Sequence, residues 1–383
     1  MKTIALSTIR HQNLRRMLDL LTLAPAMTRQ ELADAAGLSL MTVTNLVELL
    51  KKQGVLHLTP IIREEGVRPA QGRKADAITL CGDKKAWLVV DISGMQLRLT
   101  LLGFQVEKLL ELHDEQPGEY LSRLENFLCN AKDRVQEALA GRELLGVAIV
   151  APGPYEIDSD TVFNQRLSQL NGVKIKALFQ RCLGDYAYYV DEDVKFAVRA
   201  YAELFEQSNC EVLYYLYIGE GVGGAAVHSG NMLRGLNATA GDAGHLLDGR
   251  GCTYESRLSV AAFAERLGLS SIPLDSLVQE LRRVYNESPE QYRAALTDMA
   301  GIVAEMLHSV LWLVDPTHLI IDCPFAEPFA KDFIQAIRAA LVQRFAGENR
   351  MLPQISAAPQ NIRSVLRGAI RVLQKGWLER ILK

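Results

Sequence analysis

Four polar side chains lie close together near the start of the chain, and their chemistry suits hydrogen bonding to nucleic acid. They are Ser39, Thr42, Thr44 and Asn45. On a helix that begins after Ser39, the spacing leaves the other three on the exposed side, where hydroxyl and amide groups can reach base edges in a major groove. Ser39 stands where an N-cap belongs, and we assign its hydroxyl to the phosphate contacts.

Small and apolar residues around this segment predict the helices that position these side chains. The inward positions of a two-helix unit over 29–46 are filled by Leu32, Ala33, Ala36, Leu38, Val43 and Leu46. Gly37 supplies the tight turn, because a residue without Cβ adopts the left-handed conformation most easily. With an amphipathic helix at 13–23 before it, the pattern predicts a helix-turn-helix that binds DNA. A plain helical hairpin is the alternative.

A basic hairpin follows the helices. Residues 55–58 and 77–80 have the pattern of paired strands, and the segment 63–74 between them contains Gly, Pro and Arg. Three helices and such a hairpin make a winged helix-turn-helix. We expect Arg73 and Lys74 to hold phosphates of the DNA backbone. An ordinary solvated loop is the alternative for this tip.

Charge is distributed unevenly over the 383 residues. The formal net charge is −3, yet residues 1–75 hold eleven Lys/Arg against six Asp/Glu, which leaves the first part at +5 and the remainder at −8. A basic head on an acidic body confines phosphate attraction to one end. The length predicts two or three domains. We place the winged helix at 1–82 and an effector and dimerisation domain at 83–383, with lobes of roughly 83–195 plus the C-terminal helix and 196–355.

Cysteine usage and hydropathy bear on the cellular compartment. The six cysteines are Cys81, Cys129, Cys182, Cys210, Cys252 and Cys323, and no two stand at metal-ligand spacing. The sequence has no evident signal peptide or apolar run of membrane-spanning length. These features predict a cytoplasmic protein with reduced thiols and no membrane association.

From residue 85 onward, strands alternate with helices. Strands are predicted at 86–91, 96–102, 144–150, 186–190, 214–218, 225–228 and 318–321, and helices at 120–139, 194–205 and 299–313. A glycine-rich turn occupies 219–224. Strand, hairpin and helix repeated in two halves around such a turn predict an α/β fold with two lobes and a cleft.

With the winged head in front of this body, the chain resembles the ROK family over nearly its whole length. The residues that carry the resemblance are Gly72-Arg73-Lys74, Asp91-Ile92-Ser93-Gly94, Ala151-Pro152-Gly153-Pro154, Asp191-Glu192-Asp193, the 219–224 turn, Gly241-Asp242-Ala243-Gly244-His245 and Glu255. The repressor branch of that family joins a winged helix-turn-helix to a sugar-kinase-like domain of the actin/hexokinase type. The resemblance therefore implies that two-part α/β architecture here.

The resemblance breaks at the nucleotide side. Kinases of this family approach ATP phosphates with a Thr in the first loop and a small hydroxyl in the second, whereas this chain lacks that Thr after Asp91 and has Glu220 in the second loop. A carboxylate beside a polyphosphate is repelled by it. We expect that ATP binding is lost, that the 219–224 turn is structural, and that the protein is not an enzyme.

The sugar side is better preserved. The resemblance implies that Asp193 is the general base of the kinases, or a hydrogen-bond acceptor for the same sugar hydroxyl in repressors. It implies Asp242, His245 and Glu255 as further hydroxyl-binding residues, with Asp242 one methylene shorter than the family's Glu. Glu192 replaces an Asn, and its extra carboxylate suggests a ligand that bears an amine. The alternative is a degenerate cleft whose acids are solvated.

The metal site of the family is missing. The family follows its His with a cysteine cluster that binds zinc with that residue, but residues 246–255 contain only Cys252. One Cys and one His cannot complete a tetrahedral site, so we expect no zinc and no other cofactor.

Taken together, these features predict a cytoplasmic transcriptional regulator, a repressor that binds a palindromic operator in double-stranded DNA as a homodimer or homotetramer. The body would sense a sugar or sugar derivative, and closure of its lobes would change the spacing of the two heads. Two alternatives remain. The protein could be a sugar kinase with a DNA-binding head, or its body could only dimerise or dock a protein partner.

Overall fold

The amino-terminal part of the computed structural model consists of three helices and a two-stranded hairpin. The structure describes residues 6–24, 26–61, 76–114, 116, 118–205, 211–270, 272, 274–348, 350–359 and 364–382. The head contains α1 (Leu6–Leu23), α2 (Arg29–Ala36), α3 (Leu40–Lys52), β1 (Leu56–Pro60) and β2 (Asp76–Leu80). The hairpin is antiparallel, from Leu56 opposite Leu80 to Pro60 opposite Asp76.

Local capping explains the turn between α2 and α3. Thr28 and Glu31 form a capping box at the start of α2, which satisfies backbone amides that have no partner within the helix. Gly37 has φ +64° and ends α2 in the left-handed conformation, and Ser39 accepts a 3.1 Å hydrogen bond from the Thr42 amide at the start of α3. The axes of α2 and α3 differ by 113°, which is within the range of helix-turn-helix motifs.

The remaining elements are, in chain order, β3 (Lys85–Asp91), β4 (Leu97–Gly103), β5 (Lys108–Asp114), α4 (Tyr120–Leu139), β6 (Glu143–Ala151), β7 (Tyr155–Glu156), β8 (Thr161–Val162), α5 (Ile175–Leu183), β9 (Tyr188–Glu192), α6 (Asp193–Leu204), β10 (Val212–Ile218), β11 (Val222–His228), β12 (Asn231–Met232), α7 (Tyr254–Leu258), α8 (Val260–Arg266), α9 (Leu274–Glu287), α10 (Pro289–Leu313), β13 (His318–Asp322), α11 (Ala330–Arg344), β14 (Gln354–Ala357) and α12 (Ser364–Ile381). They form two compact units.

Unit 1 comprises residues 1–151, 165–190 and 370–383. Its sheet has the order β5-β4-β3-β6-β9, with β3 antiparallel to β4 and parallel to β6. The carboxyl-terminal part of α12 packs on this sheet through Trp377, whose ring lies 5.5 Å from that of Phe104 and 6.3 Å from that of Trp87. Arg371 of the same helix forms a 2.8 Å ion pair with Asp19 of α1. The head is therefore tied to α12 within this unit.

Unit 2 comprises residues 152–164 and 191–369. Its sheet has the order β12-β11-β10-β13-β14, in which β10 is antiparallel to β11 and parallel to β13. The 25-residue α10 lies in the core of the unit with one long side buried. By length and composition alone α10 could cross a membrane, but 56% of its most apolar window is buried inside the protein. Its apolar character is thus explained by packing.

The structure confirms the helix-turn-helix prediction and shifts several boundaries. Leu32, Ala33, Ala36, Val43 and Leu46 are buried, whereas Leu38 is half-buried. β11 begins at Val222, so the glycine-rich turn is limited to 219–221 and is shorter than predicted. The prediction for α10 began ten residues too late. Helices α5, α7, α8, α9 and α11 and strands β5, β7, β8, β12 and β14 were not predicted, whereas the carboxyl-terminal helix α12 was.

Candidate DNA-binding surface and effector site

The exposed side of α3 carries the polar residues that the sequence suggests for DNA contact. Asn45 is exposed and Thr42 is half-buried. The hydroxyl of Thr44 donates a 2.8 Å hydrogen bond to the Leu40 carbonyl of its own helix, while Ser39 Oγ lies 2.9 Å from Thr42 Oγ1. Thr42 and Asn45 are three residues apart and lie on one side of α3, whereas the Thr44 hydroxyl is bonded to its own helix.

A groove between α1 and α3 adds residues that the sequence analysis did not assign. Its volume is about 730 Å³, and Thr42 and Asn45 line it. Arg10 and Asn13 of α1 and Lys52 of α3 line it as well. These two cations and the amide lie beside the predicted base-reading residues, together with the acidic Glu48 and the apolar Ile9, Leu46 and Leu49. The basic charge of residues 1–75 was the available sequence signal for Arg10 and Lys52.

Part of that basic charge is used inside the head. Arg29 of α2 forms ion pairs with Glu48 of α3 at 3.1 Å and with Asp76 of β2 at 3.3 Å. It therefore stabilises the join between helices and hairpin. Arg73 and Lys74, the predicted phosphate contacts of the wing, lie outside the described residues.

In unit 2, the predicted effector residues begin where β9 meets α6. Asp193 is the first residue of α6 and is half-buried. Its Oδ1 accepts a 2.7 Å hydrogen bond from the Val194 amide. The side chain of Val194 packs toward Gly223 in β11, where an added Cβ would lie 3.2 Å from Val194 Cγ1. Asp193 therefore lies beside the start of β11.

Glu192, also predicted to bind the effector, is placed inside unit 2. Its Oε1 accepts hydrogen bonds from the buried Lys195 ammonium and, at 2.9 Å, from the Tyr155 amide. Burial raises the pKa of Glu192 even though the positive charge of Lys195 and the Tyr155 N–H act in the opposite direction. The amine that Glu192 accepts from in this structure is thus the one on Lys195.

Contacts of the buried Asp191 and Lys195 hold the loop that leads to the next predicted residues. Asp191 accepts from Arg234 at 2.6 Å and from Arg199 at 3.0 Å, and Lys195 donates to the Ala238 carbonyl. The junction of β9 and α6 is therefore connected to residues 234–238, a few residues before Asp242.

Asp242, His245 and Glu255 lie close together in unit 2. His245 Nδ1 is 3.0 Å from Asp242 Oδ2. Burial raises the pKa of Asp242, while His245 lowers it and the neighbouring charge of Glu255 raises it. Glu255 Oε2 accepts a 3.0 Å hydrogen bond from the Val222 amide. This places the three residues at the same end of β11 as Asp193.

The glycine-rich turn is closed by its own hydrogen bonds. The Gly219 amide donates to the Gly221 carbonyl at 2.9 Å, and the Gly219 carbonyl accepts from the Val260 amide. Glu220 is exposed. Burial raises the pKa of the half-buried Tyr217, and the charges of Asp193, Asp322 and Glu220 raise it further. Both the amide and the carbonyl of Gly219 therefore have hydrogen-bond partners within the protein.

A carboxylate organises the segment where the resemblance suggests a zinc site. Asp248 Oδ1 accepts from the Arg250 and Cys252 amides at 2.8 and 2.9 Å, and Oδ2 pairs with Arg257 at 2.8 Å. Cys252 is exposed. Among the described residues, no group of three or more His, Cys, Asp or Glu side chains could hold a metal ion.

These features define a class: a winged helix-turn-helix protein whose α/β body carries an acid- and histidine-lined site. The chain belongs to the ROK family, whose sequence model matches residues 87–375, and a model for winged helix-turn-helix DNA-binding domains matches residues 10–56.

Curated relatives include a repressor and a kinase. The chain is 23% identical over 222 residues to the xylose repressor of Caldicellulosiruptor bescii, covering 57% of this chain and 54% of that protein. It is 27% identical over 171 residues to a glucokinase of Halalkalibacterium halodurans, covering 42% and 49%. The chain thus spans about half the length of these relatives.

Solved structures with the same fold include both kinds of protein. A ROK family transcriptional regulator, a homolog of the E. coli Mlc protein, has a TM-score of 0.70 at 16% identity and covers 98% of both chains. A ROK family glucokinase from Streptomyces griseus, solved with glucose and AMPPNP, has a TM-score of 0.61 at 18% identity and covers 75% of this chain and 98% of its own. The match to the regulator includes the head, which confirms the predicted fold class.

Proposed function

We propose that this protein is a transcriptional repressor of carbohydrate-related genes that binds a palindromic operator and responds to a sugar or sugar derivative. The observation that carries this proposal is a winged helix-turn-helix with an exposed polar recognition helix, joined in one chain to a ROK domain. The likeness to a xylose repressor and to a ROK regulator supports it. Because its partner is DNA, we place the protein in the cytoplasm.

In the head, we assign base contacts to Thr42, Thr44 and Asn45 and phosphate contacts to Ser39, Arg73 and Lys74. The exposed position of Asn45 on α3 supports its role in reading bases. A bidentate amide contact to a base is worth about 1–3 kcal/mol of discrimination. Phosphate contacts are independent of sequence and depend on salt.

The head assignment predicts different behaviour for Asn45→Ala and Arg73→Ala. After the operator is selected from a random duplex library with the wild-type protein, Asn45→Ala should lose about 1–3 kcal/mol on the operator and little on random DNA. Arg73→Ala should weaken both and reduce the salt slope by about one. Fluorescence anisotropy at several salt concentrations measures both effects. Equal losses on operator and random DNA for Asn45→Ala would contradict the base contact. A selection that enriches no sequence would contradict sequence-specific DNA binding.

In the body, we propose that Asp193, Asp242, His245 and Glu255 bind sugar hydroxyls and that no phosphoryl group is transferred. The exposed carboxylate of Glu220 beside the turn and the use of the Val222 amide by Glu255 disfavour a polyphosphate there. The sequence also predicts Glu192 in this group. Because Glu192 is paired with the buried Lys195, we propose that it positions the neighbouring residues instead of binding the sugar.

A thermal-shift screen against sugars, amino sugars, sugar phosphates and ATP–Mg²⁺ tests the body. A ligand at a hundredfold its Kd stabilises by about 2.7 kcal/mol, so a sugar should raise Tm and ATP should not. The shift should be lost in Asp242→Ala. Sugar-dependent ADP formation that disappears in Asp193→Asn would establish a kinase instead. The absence of any hit would favour a body that only dimerises or docks a protein.

We propose a homodimer as the unit that binds the palindrome, with a homotetramer as the alternative. Two heads on one face of B-DNA read half-sites whose centres are about 34–36 Å apart, or multiples of that distance. Light scattering of the free protein and of its operator complex gives the number of chains. One chain per palindrome would contradict this proposal.

A further inference from the structure

Two cysteines that are far apart in the sequence lie next to each other on unit 1. Cys129 lies on α4 and Cys182 on α5, two helices that pack against each other, and the Cys129 side chain helps to raise the pKa of the Cys182 thiol. Cys129 is exposed, whereas Cys182 is only 6% exposed. Neither residue belongs to the DNA-binding surface or to the effector residues.

The two helices are held side by side on either side of the thiols. Arg181, which precedes Cys182, forms an ion pair with Glu125, one turn before Cys129. Beyond the thiols, Gln136 of α4 donates a 3.0 Å hydrogen bond to the hydroxyl of Tyr186. These contacts join α4 to the α5 region on both sides of the cysteines, and a disulfide forms only where the backbone lets two sulfur atoms meet.

We propose that Cys129 and Cys182 are a redox-active pair that a hydroperoxide converts into an intramolecular disulfide. The Cys129 thiolate attacks a peroxide oxygen, the O–O bond breaks, and the released oxyanion takes up a proton to leave as an alcohol or as water. Cys129 is then a sulfenic acid, oxidised by two electrons while the peroxide is reduced by two. The Cys182 sulfur attacks that sulfenic sulfur, the S–S bond forms, and the hydroxyl group leaves with the Cys182 proton as water.

Exposure sets the order of these steps. The thiolate is the reactive form, and it must reach the oxidant. Cys129 is accessible to a peroxide in solution, whereas burial raises the pKa of the Cys182 thiol to about 11 despite the nearby positive charge of Arg181. Cys129 therefore reacts first with the peroxide, and the buried Cys182 then forms the disulfide with it.

Peptide mapping of the full chain tests the proposal. The reduced protein is treated with a molar excess of hydrogen peroxide, its remaining thiols are blocked with N-ethylmaleimide, and it is digested with trypsin. Cleavage after Arg123, Lys132, Arg181 and Lys195 places each cysteine in its own peptide, 124–132 and 182–195. We expect these two peptides joined, with a mass two hydrogens below their sum. Thiols titrated in denaturant should fall by two from the six of the chain, and dithiothreitol should restore them.

Three variants provide the controls. Cys129→Ser and Cys182→Ser should each abolish the joined peptide, and Cys182→Ser should accumulate a sulfenic acid at Cys129 that dimedone traps. Cys252→Ser removes an exposed cysteine of unit 2 and should leave the joined peptide unchanged. Equal dimedone labelling of Cys129 in the wild type and in Cys182→Ser would overturn the proposal. Covalent dimers through Cys129 in place of the internal link would also overturn it.

Discussion

At the scale of single residues, the most consequential contact in unit 2 is the buried pair of Glu192 and Lys195. The two side chains are 9% and 2% exposed, and the Tyr155 amide and Ala238 carbonyl satisfy further hydrogen bonds of the pair. Buried ion pairs are rarely strong stabilisers, but removing one partner leaves an unpaired charge in a poorly solvated place. The pair therefore fixes the position of the loop before Asp242 rather than adding much stability by itself.

We expect Lys195→Met to lower the free energy of unfolding by about 3–5 kcal/mol near neutral pH. The pKa of Glu192 is already raised by burial, and losing Lys195 raises it further. Because the unfolded state then binds fewer protons than the folded state, stability falls as the pH rises above the ordinary carboxyl range. Urea unfolding at pH 5 and pH 8 should show the larger loss at pH 8.

The double variant Glu192→Gln/Lys195→Met is the control for this prediction. It removes both charges and keeps an oxygen that can accept from the Tyr155 amide, so it should lose less stability than the single variant. Two outcomes would contradict the role assigned to the Glu192–Lys195 pair. One is a loss of stability in Lys195→Met that is equal at both pH values, and the other is a double variant that is no more stable than Lys195→Met.

Residues that act through their neighbours in sequence were predictable, and residues that act at long range were not. Ser39 and Gly37 were assigned correctly because capping and turn geometry depend on the next three or four residues. The proximity of Cys129 and Cys182 was not predicted, because neither local sequence indicates a contact with a residue 53 positions away. Glu192 was assigned to a ligand because its partner Lys195 was not considered.

At the scale of elements, the segment from Asp248 to Arg257 shows how a loop can close without a metal. The Asp248 carboxylate binds two backbone amides and the Arg257 guanidinium. Hydrogen bonds from the backbone, chiefly from the Cys252 amide, lower the pKa of Asp248, and Arg257 lowers it further. This loop leads into α7, which carries Glu255.

We expect Asp248→Ala to lower Tm more than Asp248→Asn, because the amide oxygen can still accept from the backbone. A lowered pKa in the folded state contributes stability above the ordinary Asp pKa, and this contribution is lost as the pH falls toward the lowered value. The Tm difference between wild type and Asp248→Asn should therefore shrink from pH 6 to pH 3 in calorimetry. A chelator should leave the wild-type Tm unchanged.

Asp298→Asn is the matched control, since Asp298 pairs with Arg266 at 3.2 Å but is 72% exposed. Exposed pairs contribute little, so its Tm should match that of the wild type at every pH. A chelator-dependent Tm, or an Asp248→Asn difference that does not change with pH, would contradict the role of Asp248.

Helix α11 and the start of β11 differ in how clearly the sequence indicates them. Helix α11 places Phe333, Ile337 and Leu341 in the core at a spacing of four residues, a pattern that predicts an amphipathic helix. The sequence therefore contains the signal for α11. The start of β11 at Val222 was harder, because Gly223 and Gly224 are typical of turns and are held in the strand by pairing with β10.

At the scale of the whole molecule, α12 is the element that runs from one unit into the other. Its first residues belong to unit 2, where Gly368 approaches the Phe196 carbonyl of α6 so closely that a Cβ would lie 1.8 Å from it. Its later residues belong to unit 1, where Arg371 pairs with Asp19 of the head. Within unit 2 the start of α12 therefore lies against α6, which begins at Asp193, and within unit 1 Arg371 lies against the helix that precedes the recognition unit.

We expect Arg371→Asp to weaken the coupling between effector and operator while leaving global stability nearly unchanged. The pair is partly exposed, at 23% and 35%, so its loss costs at most about 1 kcal/mol. Coupling is reciprocal: the factor by which effector changes operator affinity equals the factor by which operator changes effector affinity. In Arg371→Asp both factors should move toward one, as measured by titrating each ligand with and without the other.

Charge exchange separates this contact from general damage to the head. Asp19→Arg/Arg371→Asp rebuilds the pair in reverse and should recover part of the coupling, although Arg15 lies 3.9 Å from Asp19 and will oppose full recovery. Arg283→Ala, which removes an exposed pair of α9 with Glu280 and Glu287, should leave the coupling at its wild-type value. If Arg371→Asp retains the wild-type factor, α12 does not transmit the signal through Asp19, and the head must respond to the effector by another route.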